Sequence, residues 1–353
     1  MNLASTSVFT DIPYPLRVGI VGTGFAAQRR AEAIQSDPRS QLVWVTGNRP
    51  EQTTHFCETF GIEALDSWQQ LVNQADLDLI LIATINRDHG LIARAALEAG
   101  KHVVIEYPLA LNYAEGNALQ FLAQHQKKLL HVEHIELLGG LHQAIRRYLP
   151  AIGEVFYARY ATLQCQSPAP QRWTYHCEYF GFPLTAALSR LHRFTDLFGP
   201  VFSVTCKSRF WDTSDPAYFR ACLCNAQLQF QNGLMADTIY GKGEVFHQAD
   251  RSFVLHGDRG TLHFEGEVGN LVQGEEITPL EVGSRRGLFM QDTQLVLDHL
   301  FEDSPLYVQL EASLYALKVA EACYQSALQG KTVFLAELDR EQELRIVKNE
   351  MMC

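Results

Sequence analysis

Short apolar runs alternate with helical patterns along the first third of the chain. Runs at about 17–22, 41–47, 78–84, 102–106 and 128–135 are rich in Val, Ile and Leu, as strands covered on both faces must be. Between them, Phe25 to Gln35 and His89 to Ala99 space their apolar residues at helical intervals. Gly100 follows the second as a C-cap, and Ser67 stands before Trp68 as an N-cap. Strand and helix in alternation predict an α/β fold, an N-terminal Rossmann doubly wound parallel sheet.

After about residue 140 the pattern lengthens into strands joined by turn chemistry. Gln227-Leu228-Gln229-Phe230-Gln231 alternates strictly, Asn232-Gly233 offers a left-handed pair for a tight hairpin, and Leu234 to Tyr240 returns. Phe253 to His256, Gly257-Asp258-Arg259-Gly260 and Thr261 to Phe264 read as a second hairpin. A C-terminal α+β domain with a large, mostly antiparallel open sheet follows, covered by helices near 185–198 and 311–328. The expected division is a nucleotide-binding domain over 1–136, a substrate domain over 137–330 and a charge-rich tail over 331–353, with the catalytic cleft between the two domains.

The first strand breaks into Gly22-Thr23-Gly24-Phe25-Ala26-Ala27, a dinucleotide-binding turn. Its first glycine allows the sharp strand-to-helix turn, its second lets backbone approach a pyrophosphate, and Ala27 takes the position where helix and strand pack closely. The anion then sits on the helix N-terminus. An NAD site carries Asp or Glu roughly 20 residues later for the ribose hydroxyl. Here the second strand delivers Asn48 and Arg49. A guanidinium attracts a 2′-phosphate that a carboxylate would repel, so NADPH is the expected cofactor.

Composition narrows the classes. The net charge of −11 argues against nucleic acid or an anionic membrane as partner. No run approaches the roughly 18 apolar residues of a membrane span, and the first residues lack a signal peptide's basic start and apolar core, so a cytoplasmic protein is expected. The eight cysteines include no C-x-x-C pair, and Cys222 and Cys224 share one strand face, which reads as reduced packing thiols. Arginine outnumbers lysine 21 to 8, a bias that fits a flat anionic ligand and equally fits simple drift. Oligomeric state is left open by the sequence.

Ala83-Thr84-Ile85-Asn86-Arg87-Asp88-His89, followed by Gly100-Lys101-His102-Val103-Val104-Ile105-Glu106-Tyr107-Pro108, resembles the Gfo/Idh/MocA oxidoreductases, with their Thr-Pro-type loop and Glu-Lys-Pro motif. In that family the lysine, with an Asp and a His of a D-x-G-x-H-x-x-D segment, handles a sugar hydroxyl during hydride transfer. Tyr107 replaces the lysine here. Counting back from Asp196, Ser189 stands for the Asp and Arg193 for the His. Ser, Tyr and Arg do not readily take a hydroxyl proton at pH 7.

That loss, together with Gly22 to Ala31, Glu106 to Leu111, His131 to Gly140, Ala187 to Arg190, Tyr240 to Gln248 and Gly283 to Phe289, is similar to the biliverdin-reductase branch of the family, of the cyanobacterial type. The likeness spans all but the tail. It implies hydride transfer from C4 of NADPH to the C10 methine of biliverdin, with a proton to a pyrrole nitrogen, giving bilirubin. It also implies cofactor contacts from Gly22, Thr23, Gly24, Phe25, Ala26, Asn48, Arg49, Thr84, Ile85, His89 and Glu106. Arg190, Tyr107 and Glu106 become the catalytic candidates, and Arg251, His134 and Arg193 the substrate-binding ones.

Each candidate carries a plain structural alternative. Arg190 could be a salt-bridged helix residue, and arginine stays protonated to above about pH 12, so it serves better by ordering water or polarising a tetrapyrrole than as an acid. Tyrosine, with a reference pKa near about 10, donates more easily, yet Tyr107 reads equally as an aromatic wall. Water or a propionate could also supply the proton. Arg251 could clamp a propionate or face solvent, and His89 could approach a nicotinamide or simply be satisfied by backbone. His131-x-x-His134 has metal-ligand spacing, but three residues along a strand reverse the side chain, so no metal site is expected. Alternation instead pairs His134 with Glu136 on one face. Competing functions are another oxidoreductase of this fold acting on a sugar or imine, and a non-catalytic NADP-binding regulator.

Overall fold

Leu79–Ile82 holds nothing but Leu and Ile and is buried throughout, as a central parallel strand requires. The computed structural model describes residues 12–338. Two compact units share the described residues: those up to Ala110, Glu115–Ile135 and Arg286–Glu311 make the first, and Leu111–Ala114, Glu136–Arg285 and those from Ala312 on the second.

In the first unit, β1 (Leu16–Val21), α1 (Phe25–Ser36), β2 (Ser40–Thr46), α2 (Pro50–Phe60), β3 (Glu63–Ala64), α3 (Trp68–Val72), β4 (Leu79–Ile82), α4 (His89–Glu98), β5 (His102–Ile105), α5 (Tyr113–Gln126) and β6 (Leu130–Val132) follow one another. The sheet is wholly parallel in the order β3-β2-β1-β4-β5-β6. Strand order reverses at β1, between β2 and β4, which places a ligand crevice at the C-terminal ends of these strands. Ser67 caps α3 by accepting a hydrogen bond from Gln70 N, and Gly100 takes the left-handed position just past α4 at φ 71°.

The last strand is shorter than its sequence pattern predicts. β6 ends at Val132 because the Glu133 carboxylate accepts from Ile135 N at 2.5 Å and turns the chain. His134 and Glu136 therefore do not alternate along a strand.

The second unit continues with α6 (Gly140–Tyr148), β7 (Val155–Cys165), α7 (Cys177–Phe180), α8 (Pro183–Ala186), α9 (Ser189–Phe198), β8 (Val201–Asp212), β9 (Phe219–Phe230), β10 (Met235–Gly243), β11 (Asp250–Gly257), β12 (Gly260–Glu265), β13 (Val268–Gln273) and β14 (Glu276–Leu280). Beyond these come α10 (Leu288–Glu302), α11 (Leu310–Gln329) and β15 (Val333–Phe334). Nine strands form one sheet, β14-β13-β12-β11-β7-β10-β9-β8-β15, antiparallel except where β10 runs alongside β7. Gln227 and Gln229 are exposed while Ala226, Leu228 and Phe230 are buried, as strict alternation requires. The helix expected over 185–198 is broken at Ala187 and Leu188 into α8 and α9.

The β9–β10 hairpin uses a different turn from the one its Asn-Gly pair predicts. Only Gly233 is left-handed, at φ 91°, and Phe230 N closes on Leu234 O at 2.9 Å around a three-residue loop. Asn232 contributes through its side chain instead, accepting from Leu234 N at 3.1 Å. The β11–β12 hairpin closes as expected, Gly257 opposite Gly260 around Asp258 and Arg259.

One segment departs from the continuous division expected over 137–330. Residues 286–311, with α10, belong to the first unit, where Val296, Leu297 and Leu300 join a core containing Val18, Ile20 and Leu81. Residues 339–353 of the expected tail lie outside the described residues.

Candidate active site

The C-terminal ends of β1, β2 and β4 line a cavity of about 270 Å³. Val21, Gly22, Thr46, Asn48 and Thr84 contribute to it, and so do Asp66, Ser67 and Trp68 from the start of α3. Gly22 sits at φ 120°, and a Cβ there would lie 2.1 Å from Ala83 O, so no other residue fits the turn. Gly24 has open space around it, and no side chain caps α1 behind it. The helix therefore presents its first N–H groups, the arrangement that receives a pyrophosphate. Asn48 and Arg49 are exposed at the end of β2, free of acidic neighbours in the adjoining sequence positions 46–50. These residues fit a phosphorylated dinucleotide.

Phe25 is largely exposed, its ring edge-on to Phe289. Ile85 begins the short turn that leads into α4. His89 is buried, with Nδ1 2.8 Å from Pro108 O and Nε2 3.3 Å from Thr84 O. Burial lowers its pKa. Both ring nitrogens face backbone carbonyls, and His89 ties the Thr84 loop to the Tyr107-Pro108 segment.

Glu106 follows β5 and accepts from Arg30 Nε at 3.0 Å. Arg30, fully buried on α1, also donates to the Asp292 carboxylate and to Thr293 Oγ1. Asp292 is itself enclosed, receiving Tyr307 Oη at 2.6 Å and His131 Nε2 at 2.9 Å. Burial alone would raise the Asp292 pKa, but the Arg30 charge and these hydrogen bonds hold it well below the ordinary carboxylate range. Tyr107 lies flat against His134, ring centroids 5.6 Å apart and planes 3° from parallel. His131 is committed to Asp292, and His134 N donates to Tyr307 Oη.

In the second unit, α9 lies over the sheet with Arg190 in its first turn. Arg190 Nε donates to Thr162 Oγ1 at 3.2 Å and NH1 to Ser189 Oγ at 2.7 Å, while its Cζ stands 5.4 Å from the Tyr240 ring centre. Arg193, one turn further, is buried with Cζ 6.0 Å from the Tyr160 ring centre. Its Nε and NH1 find no hydrogen-bond partner among the described residues. Arg251 is exposed on β11, in register with Thr162. Asp196 is held by His142 and Arg146, each at 2.6 Å; burial opposes, yet these contacts lower its pKa to about 2.

Sequence reasoning missed Arg30, Asp292, Tyr307, Trp68 and Tyr160. Arg30 and Trp68 each stood beside a recognised motif, but nothing local marks Asp292 as the partner of Arg30.

The family pattern described as an oxidoreductase family with NAD-binding Rossmann fold matches residues 16–134, and that of its C-terminal alpha/beta domain matches 150–335. The chain belongs to the Gfo/Idh/MocA family of oxidoreductases, nicotinamide-dependent enzymes. Within it, the chain is 65% identical to the biliverdin reductase of Synechocystis sp. PCC 6803, crystallised in complex with biliverdin and NADP+, with a TM-score of 0.88 over 88% of this chain and 99% of that one. It is 26% identical to biliverdin reductase A of Mus musculus, over 80% of this chain and 85% of the mouse protein. A levoglucosan dehydrogenase shares the fold, with TM-score 0.78 at 18% identity over 91% and 99% of the two chains. No described helix is long and apolar enough to cross a membrane.

Proposed function

We propose that this chain is an NADPH-dependent biliverdin reductase, reducing the C10 methine of biliverdin to give bilirubin. The observation that carries the reading is its 65% identity, across 99% of the relative's length, to a biliverdin reductase crystallised with biliverdin and NADP+. Gly22, Thr23, Gly24, Phe25 and Ala26 would cradle the pyrophosphate. Asn48 and Arg49 would take the 2′-phosphate, and Thr84, Ile85 and Glu106 would border the nicotinamide, with His89 holding their loop. Bound NADPH supplies the hydride.

The remaining roles belong to side chains. Arg30 holds the Glu106 carboxylate in one orientation through a charge-assisted hydrogen bond. Tyr107, backed by His134, offers a flat wall for a conjugated ring. Arg190, Arg193 and Arg251 supply positive charge for propionates and for the electron density that collects on the tetrapyrrole as hydride arrives. The family's sugar chemistry has no comparable support, because Tyr107, Ser189 and Arg193 stand where its lysine, Asp and His belong. Free thiols at all seven described cysteines favour a reducing compartment, and we assign the reaction to the cytoplasm.

The test is direct. Purified protein with NADPH and biliverdin should lose the bilin's long-wavelength absorbance as a yellow product forms. No change at any pH from mildly acidic to neutral would defeat the reading.

A further inference from the structure

The reaction needs a proton as well as a hydride, and neither an arginine nor a carboxylate held by an arginine is a good source at neutral pH. On β7, Tyr160 and Thr162 both point toward α9: Thr162 Oγ1 takes the Arg190 hydrogen bond, and the Tyr160 ring meets Phe194 edge-on at 6.4 Å. Phe253 of β11, in register with Tyr160, stacks on its ring with centroids 4.6 Å apart and planes 11° from parallel, and Phe194 meets Phe253 edge-on as well, at 5.2 Å. The Tyr160 ring is thus packed into an aromatic cluster with Phe194 and Phe253. Tyr160 is buried, with 9% of its surface left exposed.

We propose that the Tyr160 hydroxyl is the proton donor to the tetrapyrrole, and that Arg193 is the residue that positions and polarises it. This rests on the biliverdin reading. The hydride carries two electrons to C10, the Tyr160 O–H bond breaks, its proton bonds to a pyrrole nitrogen, and solvent water later reprotonates the phenolate. The Arg193 guanidinium, with two nitrogens otherwise unpartnered, is placed to stabilise that phenolate.

Charge around the phenol has one sign. Arg190 and Arg193 face it from α9 and Arg285 acts on it from the loop before α10, while Arg251 on β11 and the titratable Tyr240 on β10 both pair with Thr162, two residues along from Tyr160. Burial opposes ionisation, but the Arg193, Arg190 and Arg285 charges outweigh it and lower the Tyr160 pKa below the ordinary phenol value.

Tyr160→Phe preserves the ring stack, and Arg193→Gln removes only the charge. With NADPH and biliverdin, Tyr160→Phe should lower kcat by about 100-fold, leave the NADPH KM within about twofold, and abolish the alkaline fall of kcat. Arg193→Gln should retain that fall but move it to higher pH, because the phenol then ionises less readily. Without substrate, titration of the 295 nm tyrosinate band should show one early-ionising tyrosine that Tyr160→Phe removes. An active wild type whose alkaline limb survives in Tyr160→Phe would overturn the donor assignment alone, as would loss of that limb in Tyr107→Phe. A wild type that never reduces biliverdin would remove the parent reading and the donor role with it.

Discussion

Arg30 and Asp292, 262 residues apart in sequence, meet as an ion pair from which water is fully excluded. Such a pair adds little net stability over an apolar substitute, but removing one partner strands the other charge in the interior. Asp292→Asn should therefore lower unfolding free energy by about 3–5 kcal/mol, read from the urea midpoint at unchanged m-value. It should also loosen Glu106, which shares Arg30. A loss within about 0.5 kcal/mol would mean that Arg30 finds another anion.

The proposed 2′-phosphate contact of Arg49 is open to test. Arg49→Glu would set a repelling carboxylate in its place and should raise the NADPH KM by about 10–100-fold, the equivalent of one or two charge-assisted hydrogen bonds, with NADH use little altered. Parallel losses for both nucleotides would refute the role.

Arg190 separates turnover from cofactor binding. If Arg190 serves the bilin as proposed, Arg190→Ala should depress kcat by about 100-fold or more, while NADPH affinity stays within about twofold. Equal loss of both, with a lowered melting temperature, would identify a folding defect.

Lys242 offers a pH test of the second unit. Its ammonium donates to Thr174 O inside a cage of Tyr175, Phe180 and Phe219, 4.5, 3.5 and 5.5 Å from the ring centres. Burial is the main cause of a pKa lowered to about 7. Between that value and the ordinary lysine value, the unfolded chain binds the extra proton, so this residue's contribution to stability rises as pH rises. Lys242→Met should accordingly compare best with wild type near pH 6 and worst near pH 10 in denaturant titrations. A difference independent of pH would contradict the shift.

Much of the architecture was legible because it is written locally. The all-apolar β4, the Gly22-Thr23-Gly24 turn and the alternation from Ala226 to Phe230 each express their structure within a few residues. The candidate arginines were legible as residue types, but their surroundings were not. Arg190 finds hydroxyl groups, Arg193 is buried against a phenol, and Arg251 is exposed, although all three look alike in sequence.

The sequence by itself determined the two sheet types, the glycine-rich strand-to-helix turn and the absence of the sugar-oxidising side chains, since periodicity and turn sterics act between near neighbours. Only the tertiary structure decided that α10 packs with the first unit, that β6 stops at Val132, and that Arg30 answers Asp292. A buried charge is tolerable only beside its counter-ion, and the chain brings that partner from a distance at which no local pattern can announce it.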